Sequence, residues 1–540
     1  MASIPGAGRP GVFGKQIEFM SDTASNELNG SADLWKQRPL TKWPSERPSV
    51  DLADQKVKTT PAKTESAPYR LAFIGICLFS ILVTLRPQDF SSSLGDALPY
   101  AKIVAIVSLI LYLGSKIQRG ERPFIWPTEM KMMVLIALLA VVFAPLAASS
   151  KDTLDVLLDP FLKVVIIFAI MIDVVDSPKR LNILLNIVVV SGAVIALYTI
   201  ESYLAGNFIK GRLVILRDSL FGNSNDLALI FDLLIPIAIV RAMYKEKAQR
   251  LLNVAAALLL SVGTLITFSR GGFLGLAAAG AVLMWKMARG NRVAPVIAVV
   301  VMLVGLMFVV PGGYGERLMT IVNVQQDETG SAQEREDLMV RAGTVALAHP
   351  LTGIGMGNFH AYSIREKRAH NSFLEIAAEL GIFGLIAFLV LIISPFRSLR
   401  QIERNVKFDP SSPPGDQPQR QELYYLSIGL QAVLVTYIVG SFFSSNQYFW
   451  YLYYPVAYAV ALRRIYAAWA SNPATVTNNP TKDLSITSSA WKPARKPSFK
   501  PTYTPTPNVE PAASPAGGAL WQQQDPTPIA EMPSGVMWQR

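Results

Sequence analysis

Residues 371–394 read NSFLEIAAELGIFGLIAFLVLIIS and carry only two charges, Glu375 and Glu379, both in the first half of the stretch. A helix needs ~20 predominantly apolar residues to cross the ~30 Å hydrocarbon layer of a bilayer, and this run meets that length. Eleven further apolar runs lie at about 71–86, 101–116, 131–148, 160–175, 182–203, 225–243, 251–268, 273–288, 294–310, 423–443 and 447–468. In hydrocarbon no water satisfies backbone N–H and C=O groups, so each run is predicted to be a helix. The expected fold is an all-α polytopic membrane protein with about twelve transmembrane helices. The composition, 51% hydrophobic and 16% charged, excludes a soluble globular protein of this length.

The charges sort the connections between the runs. Stretches 116–131, 176–181, 241–250, 286–292 and 395–422 carry four, two, four, three and five Lys or Arg, and they are every second connection. Short basic connections mark the cytoplasmic side, so both termini are expected inside and residues 312–369 outside. The net charge of +11 is spread over these hinges, which argues against nucleic acid as a partner. The outer stretch carries Arg317, Arg335, Arg341, Arg365, Lys367 and Arg368, a positive set that calls for an anionic ligand. Cys77 is the only cysteine, so no internal disulfide and no Cys-based metal or redox site is expected.

The expected organisation is a disordered cytoplasmic tail at 1–69, nine spans over 70–311, an outer loop with short helices at 312–369, three spans over 370–469 and a Pro-rich tail at 470–540. No early apolar segment suggests a cleaved signal peptide, so the first span acts as its own insertion signal.

The most informative motifs lie around the outer stretch. Residues 331–359 read SAQEREDLMVRAGTVALAHPLTGIGMGNF, and 369–384 read AHNSFLEIAAELGIFG. Arg335 precedes an amphipathic segment, His349-Pro350-Leu351-Thr352-Gly353-Ile354-Gly355 ends it, and His370-Asn371 opens the next span. Upstream, residues 221–236 read FGNSNDLALIFDLLIP, and Ser269-Arg270-Gly271-Gly272 separates two apolar runs. In order and spacing these segments resemble the O-antigen ligase and polymerase family over roughly 212–384. The chain departs from the family pattern in having Met339 four positions after Arg335, where an aromatic is frequent, and Ser224 where Pro is frequent. The arginine expected before the Asn motif is Arg212 or Arg217.

The resemblance implies a GT-C-like glycosyltransferase that acts without metal or cofactor on a glycan carried by undecaprenyl diphosphate. It further implies the bacterial inner membrane, with the site on the periplasmic side and other polysaccharide-assembly proteins as possible partners. Arg335, Arg270, Arg341 and Arg212 or Arg217 would hold the diphosphate, His370 would activate the acceptor hydroxyl, and Asn225, Asn371, Glu375 and Glu379 would support them. The residue types suit this chemistry: the planar guanidinium binds phosphate bidentately and stays charged, and an imidazole can accept a proton near neutral pH. Direct displacement with inversion is expected, since no carboxylate stands out as a nucleophile.

Plainer roles are read for several of the same residues. Asn371 and the pattern Ser372-x-x-Glu375 form a good helix cap, and acids on both sides of Arg335 fit an exposed amphipathic helix. The Gly-rich turn at 353–357 lacks the Lys-Ser/Thr of a phosphate loop, so it suits a tight turn. Arg270 could snorkel to the headgroups, while Lys163 and Asp232 are candidate buried charges; His349 and His360 are read as structural. The acceptor stays open among a lipid A core, a second lipid-linked glycan and a protein hydroxyl, which correspond to a ligase, a polymerase and a protein O-oligosaccharyltransferase. A transporter or flippase, and a scaffold of an assembly complex, are the readings from other classes. A transporter predicts broken helices at mid-membrane and two related halves.

Overall fold

The computed structural model describes residues 67–87, 100–209, 212–213, 223–288, 331–363, 366–406 and 417–471. Its helices are, in order, α1 (Ala67–Leu85), α2 (Tyr100–Gln118), α3 (Thr128–Phe143), α4 (Ser150–Val156), α5 (Leu162–Val174), α6 (Pro178–Leu204), α7 (Ser224–Tyr244), α8 (Lys247–Ile266) and α9 (Arg270–Met287). They continue with α10 (Ser331–Ala348), α11 (Phe359–Tyr362), α12 (Ser372–Asn405), α13 (Gln417–Ser441) and α14 (Trp450–Ala470). A small antiparallel hairpin, β1 (Phe208–Ile209) and β2 (Arg212–Leu213), follows α6. Eleven of the twelve apolar runs fall on helices, and the run at 294–310 lies outside the described residues. Among the described residues eight helices are long and apolar enough to cross a membrane: α1, α2, α3 with the short turn after it, α6, α7, α8, α12 and α13. The chain is a multi-pass membrane protein.

The run at 160–175 is not one straight helix. It starts upstream, as α4, and reaches α5 through a widened turn, Leu157–Phe161, that contains Pro160. Proline has no N–H to donate and crowds the carbonyl four residues back, and widening one turn relieves that clash.

Helix α7 is the axis of the bundle, with Leu227, Phe231, Ala238 and most of its other residues buried. With no hydrophobic effect to drive helices together in lipid, close approach over small residues does the work. A Cβ on Gly192 of α6 would come within 2.3 Å of Leu234, and one on Gly429 of α13 within 2.5 Å of Val240.

Among the described residues the basic helix ends gather at one end of the bundle. There Lys116 pairs with Asp173 and with Glu121, the latter at 3.0 Å, while Arg464 pairs with Asp173 at 3.1 Å. Arg463 grips Glu129 through two 3.1 Å bonds, and Lys286 pairs with Glu403. Arg241, fully buried, donates to Asn182 at 2.7 Å, to Asn253 at 3.2 Å and to Asn186.

Helix α12 decides the shape of the other end. Its 34 residues extend about 50 Å at ~1.5 Å per residue, well beyond a ~30 Å hydrocarbon core. The helix is interrupted at Gly381 (φ 64°, ψ −164°), a conformation open only to glycine. The interruption leaves backbone groups of α12 in need of partners, and the turn at 349–357 supplies them. Ile354 N–H donates to the Ala378 carbonyl (3.0 Å), Gly355 N–H to Glu379 (2.9 Å), and Ile382 N–H to Pro350 (2.8 Å). Gly353 (φ 66°) sits where a Cβ would lie 2.2 Å from the Glu379 carbonyl oxygen. Gly353 therefore serves backbone contact with α12, whereas Gly355 (φ 99°) and Gly357 (φ 76°) allow close approach to Ala147, Thr153 and Val156, in and just before α4.

Candidate active site

His370 occupies a left-handed backbone conformation (φ 53°), which costs a residue with a Cβ roughly 1–3 kcal/mol and persists only when its surroundings enforce it. The enforcement comes from both sides. Before it, the Ala369 N–H donates to Glu375 Oε2 at 2.8 Å. After it, the Asn371 side chain caps α12, accepting from the N–H groups of Phe373 (3.0 Å) and Leu374 (3.1 Å). Ser372 is thus the first helical residue and not the cap: its hydroxyl donates to the Ser444 carbonyl (2.7 Å) and accepts from Asn446 N–H (3.0 Å). The expected Ser372-x-x-Glu375 box does not form, because Glu375, one residue past the boxed position relative to Asn371, reaches back to Ala369.

Glu375 is buried and takes four donors: Arg368 Nε (3.1 Å), Ala369 N–H, Gln447 Nε2 (2.9 Å) and the Ser445 hydroxyl. Glu379, one turn further, accepts from Phe359 N–H (3.2 Å) and the Tyr448 hydroxyl (2.7 Å), tying α11 and the α13–α14 loop to α12. The two carboxylates thereby lock the loops around His370. Their position in the first turns of an over-long helix explains how they avoid the cost of unpartnered charge in hydrocarbon.

Helix α10 lies against this loop. Ala342 and Val345 pack with Ile354, Phe359, Ala369 and Ala378 in a small separate core. Asn371 Nδ2 approaches the Met339 sulfur at 3.9 Å, and Lys367 pairs with Glu334. Met339 is one turn from Arg335 and shares its face, so Arg335 stands on the side of α10 that meets His370-Asn371. Arg335 and Arg368 are both within electrostatic reach of Asp226, in the first turn of α7. The protein around Arg368 desolvates its guanidinium, but the carboxylates of Glu375, Glu379 and Asp226 outweigh that effect and hold it above the usual arginine range.

Three helix N-termini are joined here. The Ser444 hydroxyl donates to Asp226 of α7 while its carbonyl accepts from Ser372 of α12. Asn225, on α7, accepts from the Ser269 hydroxyl at 2.8 Å, and Ser269 in turn caps α9 through Gly272 N–H at 3.1 Å. Arg270 is the first residue of α9, directly after that cap. Aligned peptide dipoles give each N-terminus a partial positive charge beyond the N–H groups already held by the caps Asn223, Ser269 and Asn371, so the junction suits an anion.

The structure thus brings together Asn225, Arg270, Arg335, His370, Asn371, Glu375 and Glu379. Arg212 is in β2, and Arg217 lies outside the described residues. Arg341 points elsewhere: on the exposed side of α10, its Nε donates to the Tyr362 carbonyl at 2.9 Å. Lys163 pairs with Asp159 at 2.6 Å, and buried Asp232 accepts from the Thr264 hydroxyl at 2.9 Å. His349 packs edge-on to Tyr362, and His360 bonds the Gly357 carbonyl at 2.9 Å and approaches Asp152 at 3.6 Å.

Sequence reasoning missed Asp226 and the α13–α14 loop, and it named Arg368 only as one of the outer positive set. A signal existed for the loop, where Ser444-Ser445-Asn446-Gln447 is a polar run between two apolar ones.

Residues 255–389 match the model of the O-antigen ligase family. The match covers a quarter of the chain. The resemblance read from the motifs is borne out over this segment, and it supports glycan transfer of the O-antigen ligase type. The matched segment includes Ser269-Arg270, Arg335, the turn at 349–357, His370-Asn371, Glu375 and Glu379, whereas Asn225 and Arg212 precede it. Among curated proteins the chain has no match.

Proposed function

We propose that this protein transfers a glycan from undecaprenyl diphosphate to an acceptor hydroxyl at the periplasmic face of the bacterial inner membrane. The observation that carries the reading is the junction of three helix N-termini with Arg335, Arg270 and a clamped His370 around it. His370 takes the proton of the acceptor hydroxyl, whose oxygen attacks the anomeric carbon from the side opposite the carrier. The bond from that carbon to the diphosphate oxygen breaks, and the departing negative charge is stabilised by Arg335, Arg270 and the helix N-termini. One displacement inverts the anomeric centre, and no metal takes part.

The basic end of the bundle is the cytoplasmic one in this reading, with twelve spans in a GT-C-like arrangement and both termini inside. Ligase, polymerase and protein O-oligosaccharyltransferase share this chemistry and differ in the acceptor. A transporter would use a broken helix to line a path; the break in α12 is instead filled by the turn at 349–357, which favours the enzyme.

The test is His370→Ala in cells and in purified form, with expression and insertion verified. Transfer is expected to fall by roughly a hundredfold or more, and unchanged surface glycan would sink the assignment.

A further inference from the structure

Arg368 differs from the arginines that the motifs single out. Its Nε is spent on Glu375 Oε1 at 3.1 Å, and Glu375 is itself held by three other donors. The guanidinium lies 5.6 Å from the centre of the Phe449 ring, at the start of α14. Among the described residues Nη1 and Nη2 have no hydrogen-bond partner, and the side chain is 40% exposed. An arginine fixed at Nε by a buried carboxylate and backed by an aromatic ring has lost most of its rotamer freedom before any ligand arrives. What remains is the end-on pair of amines, the geometry that takes two oxygens of one phosphate.

Among the described residues the nearby carboxylates are hydrogen-bonded to other donors and not to those amines. Asp226 accepts from Ser444 and from Asn223 (2.7 Å), and Glu379 from Phe359 N–H and Tyr448. The fork also stands over the junction of α7 and α12, where Asp226 and Ser372 meet at Ser444.

We propose that Arg368 is a binding residue for the carrier's diphosphate, a pre-set fork held in place by Glu375 as its positioning residue. This rests on the glycan-transfer reading of the same site and adds to it a residue that the family motifs did not supply. A lysine cannot replace the fork, because a single ammonium cannot both satisfy Glu375 and present two parallel donors.

The experiment measures equilibrium binding of farnesyl diphosphate to the full-length protein in lipid nanodiscs, with thermal unfolding as the folding check. Arg368→Gln and Arg368→Lys are each expected to weaken binding roughly ten- to a hundredfold. Glu375→Gln is expected to weaken it less. His370→Ala should bind as the wild type does and fail to transfer. Arg368→Lys keeps the charge beside Glu375, so full binding by that variant overturns the fork, as does binding by Arg368→Gln within twofold of wild type. In either case a transfer-dead His370→Ala leaves the transferase reading standing. Lost binding in both Arg368 variants beside a His370→Ala enzyme that still transfers supports the fork and removes the base.

Discussion

The two ends of the bundle use their charges differently. At the basic end cations and carboxylates neutralise one another in closed sets: Lys116 and Arg464 on Asp173, Arg463 on Glu129, Lys286 on Glu403. At the opposite end the buried carboxylates spend much of their capacity on neutral donors, the N–H groups of Ala369 and Phe359 and the side chains of Ser445, Gln447 and Tyr448. A carboxylate used that way fixes a loop while leaving the neighbouring arginine able to meet a ligand. The first end is built to hold helices together in register, and the second to hold a left-handed histidine beside positive groups.

The comparison breaks most sharply in paired variants. Arg335→Ala should reduce transfer by roughly 10²–10³-fold, the scale of removing one group that meets charge developing in the transition state, with unfolding temperature little changed. Asp173→Ala should do the reverse. It leaves Arg464 without its carboxylate and Lys116 with Glu121 alone, and breaking a buried pair costs about 3–5 kcal/mol. Transfer per folded molecule should stay near wild type. Glycan transfer and thermal unfolding measured on both proteins in the same detergent would decide it, and an Asp173→Ala protein that is stable but inactive would erase the distinction drawn here.

Much of this architecture is written locally. The apolar runs carry the helices because each span must solve its own backbone hydrogen bonding, and the alternation of Lys and Arg carries the two-sidedness. His370-Asn371, Arg335 and Ser269-Arg270 could be found because each is a short motif next to a span. The rest depends on partners distant in the chain. Gly381 and Gly384 look alike inside one apolar run; only the turn at 349–357, docking through space, makes Gly381 the point of interruption. In the same way Lys367 and Arg368 are neighbours of like charge, and nothing nearby in sequence says that Lys367 pairs with Glu334 while Arg368 turns to Glu375. The widened turn at Pro160 was hidden for another reason: a run-based reading starts a span at a proline, whereas the helix upstream tolerates it by opening one turn.

A medium effect is expected at the dock between turn and helix. Gly353→Ala would place a Cβ on the Glu379 carbonyl in a backbone conformation that already penalises it, at a cost of at least ~1–3 kcal/mol. Glu379 also holds Phe359, so the shift should reach the active-site loops and lower both stability and transfer. If transfer per folded molecule is unaffected, the turn supports α12 without supporting the site.

The smallest effect sharpens the account of His370. Asn371 holds two N–H groups of α12 and sets the chain direction immediately after the histidine. Asn371→Ala removes a helix cap worth about 0.5–2 kcal/mol, so the unfolding temperature should drop slightly. Asn371→Asp keeps an oxygen in the same place and should restore the cap, while adding a negative charge beside the position proposed for the diphosphate. The two variants therefore separate capping from electrostatics. Recovery of both stability and transfer in the Asp variant means that Asn371 acts through the backbone of His370 alone. Recovery of stability with transfer still low, measured as an increased KM for the lipid-linked donor, means that the anion sits close enough to α12 to feel the added charge.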